Sequence, residues 1–356
     1  MSSPSRKGTE LSATARPGRV TIRDIAERAG VSKGAVSYAL NGRPGVSDDT
    51  RERIITIANE LGWYPNRAAR ALSASRAEAC GLVLARPAHS LALEPFFMEF
   101  LAGVEAELAT RSIALTLQLV QDIEAEVAVY RRWWGEHRVD GVLVVDLRFD
   151  DPRVSELVRL GLPAVVVGGP LENGELPAVY HDEATVVTEA VQYLAALGHA
   201  RIAHVAGVAE FVHTAQRMAA FTSAAGDLGL VGSVVETDYS AESGARATRK
   251  LLSSPTPPTA IVFDSDLLAV TGLGVAQQMG FSVPDDVSIV GWDDSLIIQV
   301  VHPALTAITR DIEEFGAAAT RQLLAAIEGE AAGDLETARG ELTPRGSTGR
   351  PRRSPR

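Results

Sequence analysis

One cysteine stands in 356 residues, so the chain has no internal disulfide and no thiolate metal cluster, a pattern that fits a reducing cytoplasm. Cys80 itself reads as a small buried apolar residue. No stretch approaches the roughly 18 uncharged apolar residues of a spanning helix. The Ser- and Arg-rich start, Met1 to Arg19, has no apolar segment behind its charges, so neither secretion nor membrane insertion is expected. The seven histidines are scattered: His199 and His204 lie five apart, and no H-x-x-x-H occurs, which argues against zinc. Gly272-Leu273-Gly274 lacks the third glycine of a dinucleotide fingerprint, and there is no G-x-S-x-G elbow. No metal, no cofactor and no catalytic constellation is therefore expected, and the chain does not read as an enzyme.

What the sequence does contain is uneven. With 46% hydrophobic and 22% charged residues it is neither disordered nor fibrous, and its length exceeds what one core usually organises. Residues 1–76 hold 13 Lys+Arg against 7 Asp+Glu, net +6, leaving 21 against 38, net −17, for the rest. A small basic head on a large acidic body suggests that the head meets a polyanion while the body does something else. A basic solvated face is the plain alternative.

The head carries a motif. From Val20 to Leu40 the chain reads VTIRDIAERAGVSKGAVSYAL. Ile22, Ile25, Ala26 and Ala29 recur at helical spacing, Gly30 interrupts, and Ser32 opens a second periodic stretch through Val36, Ala39 and Leu40. This predicts a helix, a tight turn and a helix, with Ala26 small where the helices approach and Gly30 tolerant of positive φ. Ser47 then caps a third helix, Asp48 to Leu61, with Ile54, Ile55, Ala58 and Leu61 on one face. After Gly62-Trp63-Tyr64 comes P-N-R-A-A-R-A-L (65–72), about two turns long and marginal as a helix alone in water.

The segments TIRDIAERAGVS, S-D-D-T-R-E-R-I and P-N-R-A-A-R-A-L resemble the lactose-repressor/galactose-repressor (LacI/GalR) family of bacterial transcription regulators, and the resemblance extends over nearly the whole chain. It implies that the second helix enters the major groove and that the hinge helix forms when two subunits pair on DNA. Leu72 matches the leucine that wedges between base pairs; a core leucine is the alternative. Lys33, Gly34 and Tyr38 match the base-reading positions. Gly34 presents no side chain there, a departure that reduces readout. Thr21, Ser32, Ser37, Asn41, Asn66, Arg67 and Arg70 suit phosphate or minor-groove contacts, although any one arginine is equally a solvated charge. The implied partners are double-stranded DNA with a near-palindromic operator, a second copy of the chain, and a small-molecule effector, with no membrane.

Beyond residue 78, continuous apolar runs such as CGLVLA (80–85), GVLVV (141–145), RIAHVAG (201–207) and VSIVGWDD (287–294) alternate with helical stretches. Such strands, separated by helices, indicate parallel sheets covered on both faces, here in two doubly wound α/β lobes. The resemblance adds a periplasmic-binding-protein-like core with three crossovers and a cleft at the carboxyl ends of the strands. The expected organisation is a disordered tail 1–18, a helix-turn-helix head 19–64, a hinge 65–77, and a core 78–340. Lobe 1 is expected over about 78–178 and 306–335, lobe 2 over about 179–305, and a largely disordered, Arg-rich tail over 341–356.

By the same resemblance the effector contacts are Phe96 and Phe97, of a segment similar to N-P-F-F, with Arg217, Tyr239, Ser265, Asp293 and Arg310. Carboxylate and guanidinium fit vicinal hydroxyls, and an aromatic covers the apolar face of a sugar ring. Helix capping is the alternative for Asp266 and Asp294, and core packing for Phe96 or Phe97. Gly168-Gly169 stands where many relatives place an acid, and Ser265 where many place Asn. With Arg217 and Arg310 both present, a neutral sugar, an acidic sugar and a non-sugar all stay open. The expected function is a DNA-binding repressor controlled by a carbohydrate effector. A sugar-transport binding protein and a sugar-converting enzyme are the alternatives, opposed by the DNA head and by the lack of catalytic groups.

Overall fold

The computed structural model describes residues 20–63, 76–86, 94–171 and 174–352, and the chain divides after Ala74 into a head and a body. Asn66, Arg67, Arg70 and Leu72 lie outside the described residues, as does the tail 1–18.

The head has three helices, α1 (Ile22–Ala29), α2 (Lys33–Leu40) and α3 (Asp48–Glu60). At the start of α1 the Thr21 N–H and hydroxyl both donate to the Asp24 carboxylate, at 2.7 and 2.8 Å, one half of a capping box. Gly30 ends the helix at φ +66°, a left-handed conformation that glycine adopts without a Cβ penalty. The Ser32 hydroxyl accepts from the Ala35 N–H at 3.1 Å and so caps α2. Ile25, Ala26, Ala29, Val36, Ala39, Ile54 and Ala58 form the core. Arg51 of α3 closes the far end of α2, donating to the carbonyls of Ala39 at 3.0 Å and Arg43 at 2.8 Å, where the helix dipole favours a cation.

The body contains two six-stranded sheets. The first, in the order β11-β5-β4-β3-β1-β2, is parallel and comprises β1 (Ala79–Leu84), β2 (Ala114–Leu119), β3 (Gly141–Val144), β4 (Ala164–Val167), β5 (Ala178–Tyr180) and β11 (Leu335–Glu336). The second, β12-β10-β9-β8-β6-β7, comprises β6 (Arg201–Ala206), β7 (Val231–Glu236), β8 (Ala260–Phe263), β9 (Ser288–Asp293), β10 (Thr306–Thr309) and β12 (Glu341–Thr343). Central strands are buried end to end and feed apolar clusters on both faces of each sheet, which explains why they read as unbroken hydrophobic runs.

Two boundaries differ from expectation. Strand β10 (306–309) belongs to the second sheet, so the return into lobe 1 begins after it, with helix α12 (Ile312–Glu328); β5 stays in the first sheet, so lobe 2 begins at helix α7 (Glu183–Leu197). The tail from 341 is also ordered as far as it is described. Strand β12 pairs antiparallel with β10, Ile308 opposite Leu342. Ser347 is fully buried, accepting from the Thr306 N–H at 2.8 Å and donating to the Ile289 carbonyl at 2.6 Å. Arg345 donates to both oxygens of Asp294, at 2.6 and 2.8 Å. Hydroxyl and guanidinium hydrogen bonds fix this segment, so it lacks the apolar periodicity that would have announced it.

Helix α4 (Pro95–Thr110) crosses α12 at close range. A Cβ on Gly103 would lie 1.8 Å from the Glu313 carbonyl oxygen, and one on Gly316 2.2 Å from that of Phe100. Gly316→Ala should therefore force the helices apart and cost about 1–3 kcal/mol, as overpacking does. Urea denaturation checks this; an unmoved midpoint would show that the crossing yields freely.

Candidate functional site

On the head, Ser32, Lys33, Gly34, Tyr38 and Asn41 are exposed and Ser37 is half-buried. Their positions along α2 place them on one side of that helix. The Thr21 hydroxyl is engaged with Asp24, and the Asn41 amide donates to the Ser37 carbonyl at 2.8 Å. Ser32 keeps its hydroxyl proton after capping. The α2 amino end, Lys33 and Tyr38 form the face available to a polyanion. Gly45 gives that face its shape: a Cβ there would meet the Tyr38 ring at 3.3 Å.

In the body, a cleft of about 820 Å³ including its mouth opens at the carboxyl ends of the strands of both sheets. All seven expected residues, Phe96, Phe97, Arg217, Tyr239, Ser265, Asp293 and Arg310, line it. They do not contribute alike. Phe97 is core and Phe96 is half-buried, their rings edge to face at 5.3 Å. The Ser265 hydroxyl accepts from the Leu268 N–H at 3.3 Å, capping helix α10 (Asp266–Gln278). Asp266 accepts from the N–H groups of Trp292 and Ser295, at 2.9 and 2.7 Å. Tyr239 lies across Gly207, where a Cβ would come within 1.9 Å of its ring, and its hydroxyl hydrogen-bonds Thr214 at 3.0 Å and His213 at 3.2 Å.

Glu183, in the first turn of α7, organises the floor. It accepts from Arg217 at 2.9 and 3.1 Å and from Arg310 at 3.0 Å. Arg310 also donates to Asp293 through Nε at 2.8 Å and through a second, shorter contact. Arg217 reaches the Asp264 carbonyl at 3.2 Å, while the Asp264 carboxylate pairs with His204 at 2.7 Å. Burial would raise the Glu183 carboxyl, but the Arg217 and Arg310 charges outweigh it and hold it well below the usual carboxylate range. Burial, with Arg310 and Arg217 respectively, pushes His181 and His213 down to about 4, so both are neutral near pH 7.

The same groups tie the crossovers together. The first passes through His181, which hydrogen-bonds the Ala338 carbonyl at 3.0 Å and the Thr337 hydroxyl at 2.8 Å on the third. Arg310 lies on the second, and a Cβ on Gly340 would meet its Cγ at 2.8 Å. On the opposite wall Arg86 chelates Asp146 at 2.7 and 2.8 Å and donates to Glu94 at 2.8 Å. Its guanidinium carbon sits 5.4 Å from the Phe211 ring centre and 5.3 Å from that of Tyr239, reaching from lobe 1 to lobe 2.

Arg86, Glu94, Asp146, Glu183, His213 and Asp264 were not singled out from the sequence. Four of them carry a usable signal. Arg86, Asp146 and Asp264 are the first charged residues after strands β1, β3 and β8, and Glu183 opens the helix after β5, positions that face the cleft in open α/β sheets. Glu94 and His213 announce themselves by no such pattern.

A small helix-turn-helix head and a two-lobed α/β body with a cleft between its sheets define a ligand-sensing DNA-binding protein. Residues 21–66 match the bacterial regulatory proteins of the lacI family, and residues 191–348 a periplasmic binding protein-like domain. The transcriptional regulator CelR of Thermobifida fusca is 33% identical over 88% of this chain and 93% of its own. AglR of Rhizobium meliloti is 32% identical over 94% and 96%. The solved lac repressor dimer bound to operator and the anti-inducer ONPF superposes with a TM-score of 0.81 at 25% identity, covering 93% of this chain and all of that one. The chain belongs to the lacI family and is a helix-turn-helix transcription regulator. Among the described residues no helix is long and apolar enough to cross a membrane.

Glu183→Gln should leave two buried guanidiniums undercompensated and destabilise the body by about 3–5 kcal/mol, the usual consequence of breaking a buried pair. Because the folded carboxyl titrates below its unfolded value of about 4.3, its contribution is full above that pH and fades as pH falls below it. Thermal melts from pH 7 to pH 3 should thus show the gap between wild type and variant narrowing on acidification; a constant gap would remove the charge from the explanation.

Proposed function

We propose that the chain is a homodimeric, cytoplasmic regulator, most simply a repressor, that binds a near-palindromic operator and changes its affinity when a carbohydrate occupies the cleft. The supporting observation is the cleft itself: an aromatic surface, Phe96 and Tyr239, stands beside hydrogen-bonding carboxyl and guanidinium groups at the mouth of two sheets joined by three short crossovers. Hydroxyls and ring faces of a sugar fit that mixture, and a solved CelR–cellobiose complex superposes on 92% of this chain with a TM-score of 0.71 at 30% identity. A ligand touching both lobes favours one lobe arrangement and so biases the spacing of two paired heads. Phe97 and Ser265 support the site through packing and capping, while Arg217, Tyr239, Asp293 and Arg310 face the ligand.

On DNA, Lys33 and Tyr38 read base edges, Gly34 leaves its position unread, and Thr21, Ser32, Ser37 and Asn41 set the register on phosphates. Asn66, Arg67, Arg70 and the wedge Leu72 extend contact into the minor groove. Two-fold pairing of such heads requires an operator with matching symmetry.

Asp293→Asn keeps the side-chain volume but removes the charge. Calorimetry should then show at least tenfold weaker sugar binding, with operator affinity in the absence of sugar near wild type; undiminished sugar binding would remove Asp293 from the contacts. Operator binding should fall about 10³-fold or more between 50 and 200 mM salt if the dimer makes six or more phosphate contacts. Lys33→Ala should relax one half-site position by about 1–3 kcal/mol in a randomised-operator selection.

A further inference from the structure

Two of the cleft's arginines, read from sequence, left an acidic ligand open. Their surroundings decide against it. Each of the three lining guanidiniums faces carboxylate: Arg86 holds Asp146 and Glu94, Arg217 holds Glu183, and Arg310 holds Asp293 and Glu183. Among the described residues the lining carries six carboxyl groups against those three cations, and its two histidines are neutral near pH 7. Burial pushes Glu94 up to about 7 and Asp266 up to about 8, and with both neutral the balance is still four carboxylates to three guanidiniums. A second negative charge entering this space meets, among the described residues, no uncommitted cation and several like charges in a low-dielectric wall.

Glu94 adds a positive requirement. It is 6% exposed, lies immediately before helix α4, and lines the cleft. Its Oε2 accepts from Arg86, whereas among the described residues its buried Oε1 has no hydrogen-bond partner. A buried acceptor without a donor is costly, and a ligand that brings a donor recovers that cost.

We infer that the cleft takes an uncharged polyhydroxyl ligand and rejects its carboxylate and phosphate counterparts, with the free oxygen of Glu94 as the specificity-determining acceptor on lobe 1. This rests on the carbohydrate reading above. Above about pH 7, where Glu94 is ionised, a hydroxyl donates to Oε1 and completes the Arg86–Glu94 pair, whereas a carboxylate or phosphate oxygen brings no proton and repels it.

Calorimetric titration of the full chain at pH 8, where Glu94 is mostly ionised, tests this with matched pairs: D-glucose and D-glucuronate, D-galactose and D-galacturonate, cellobiose and cellobionate, glucose and glucose 6-phosphate. For every pair that registers, the neutral member should bind at least tenfold tighter. Glu94→Gln, which keeps an acceptor oxygen but no charge, should shrink that ratio several-fold. Glu94→Asp, which keeps the charge on a shorter arm, should weaken neutral-sugar binding while preserving the ratio, and circular dichroism verifies that both fold. An acid or phosphate that binds as well as its neutral partner overturns the inference and leaves the carbohydrate reading standing. A ratio unchanged in folded Glu94→Gln removes Glu94 from specificity. Silence from all pairs overturns the carbohydrate reading and this inference with it.

Discussion

One carboxylate in the body receives two guanidiniums, and much of the sensing domain is arranged so that it can. Glu183 sits at the amino end of a helix, where partial positive charge already favours it, and accepts from Arg217 and Arg310. Arg217 projects from within helix α8 (Val212–Asp227) of lobe 2, whereas Arg310 stands on the chain as it leaves that lobe. Through Arg310 the constraint passes to Asp293, and through Arg217 to the end of β8. Any relative movement of the lobes acts on segments that meet at this carboxylate, because the crossovers carrying His181, Arg310 and Thr337–Gly340 are hydrogen-bonded or packed against one another.

The walls of the cleft store backbone strain. Asp146, Tyr239 and Asp293 all have positive φ, between +54° and +65°, and each lies at or just past the end of a strand. Aspartate tolerates that region better than most residues, a tyrosine poorly. Tyr239 is held there because its ring occupies the space over Gly207 and its hydroxyl is bonded by Thr214 and His213. Such positions turn side chains out of the sheet into the cleft instead of continuing the strand.

How much of this the sequence disclosed varied with the physics holding each part. The helices of the head were legible, because small helices with little core depend on capping and spacing, which are local; the expected Ser47 cap was not, since its hydroxyl bonds Thr50 instead, and Ile55 lies exposed rather than on the core face. The strands were legible because burial on both faces leaves unbroken apolar runs. Placement of β10 in the second sheet was not, since a short apolar strand carries no mark of which sheet it joins. Ser347 and Arg345 were taken for disordered polar chain although they are among the best anchored residues of lobe 2, their partners lying about 40 to 60 positions away. The seven residues expected by resemblance to contact an effector do line one cleft, yet Ser265 caps a helix and Phe97 is core. Glu183 and Arg86, which hold the charged groups in place, went unnoticed because their partners are remote in sequence.

The interleaving of the two lobes fixes an order of events when the chain is made. Among the described residues, the core of the head lies between residues 20 and 63, so that core is complete as soon as that stretch has left the ribosome. Neither lobe of the body is contiguous. The first lacks α12 and β11 until residue 336 has been added, and the second lacks β12 and the Ser347 anchor until later still. At about 5–20 residues per second, a newly made chain holds a finished helix-turn-helix core for many seconds before it has a finished sensor.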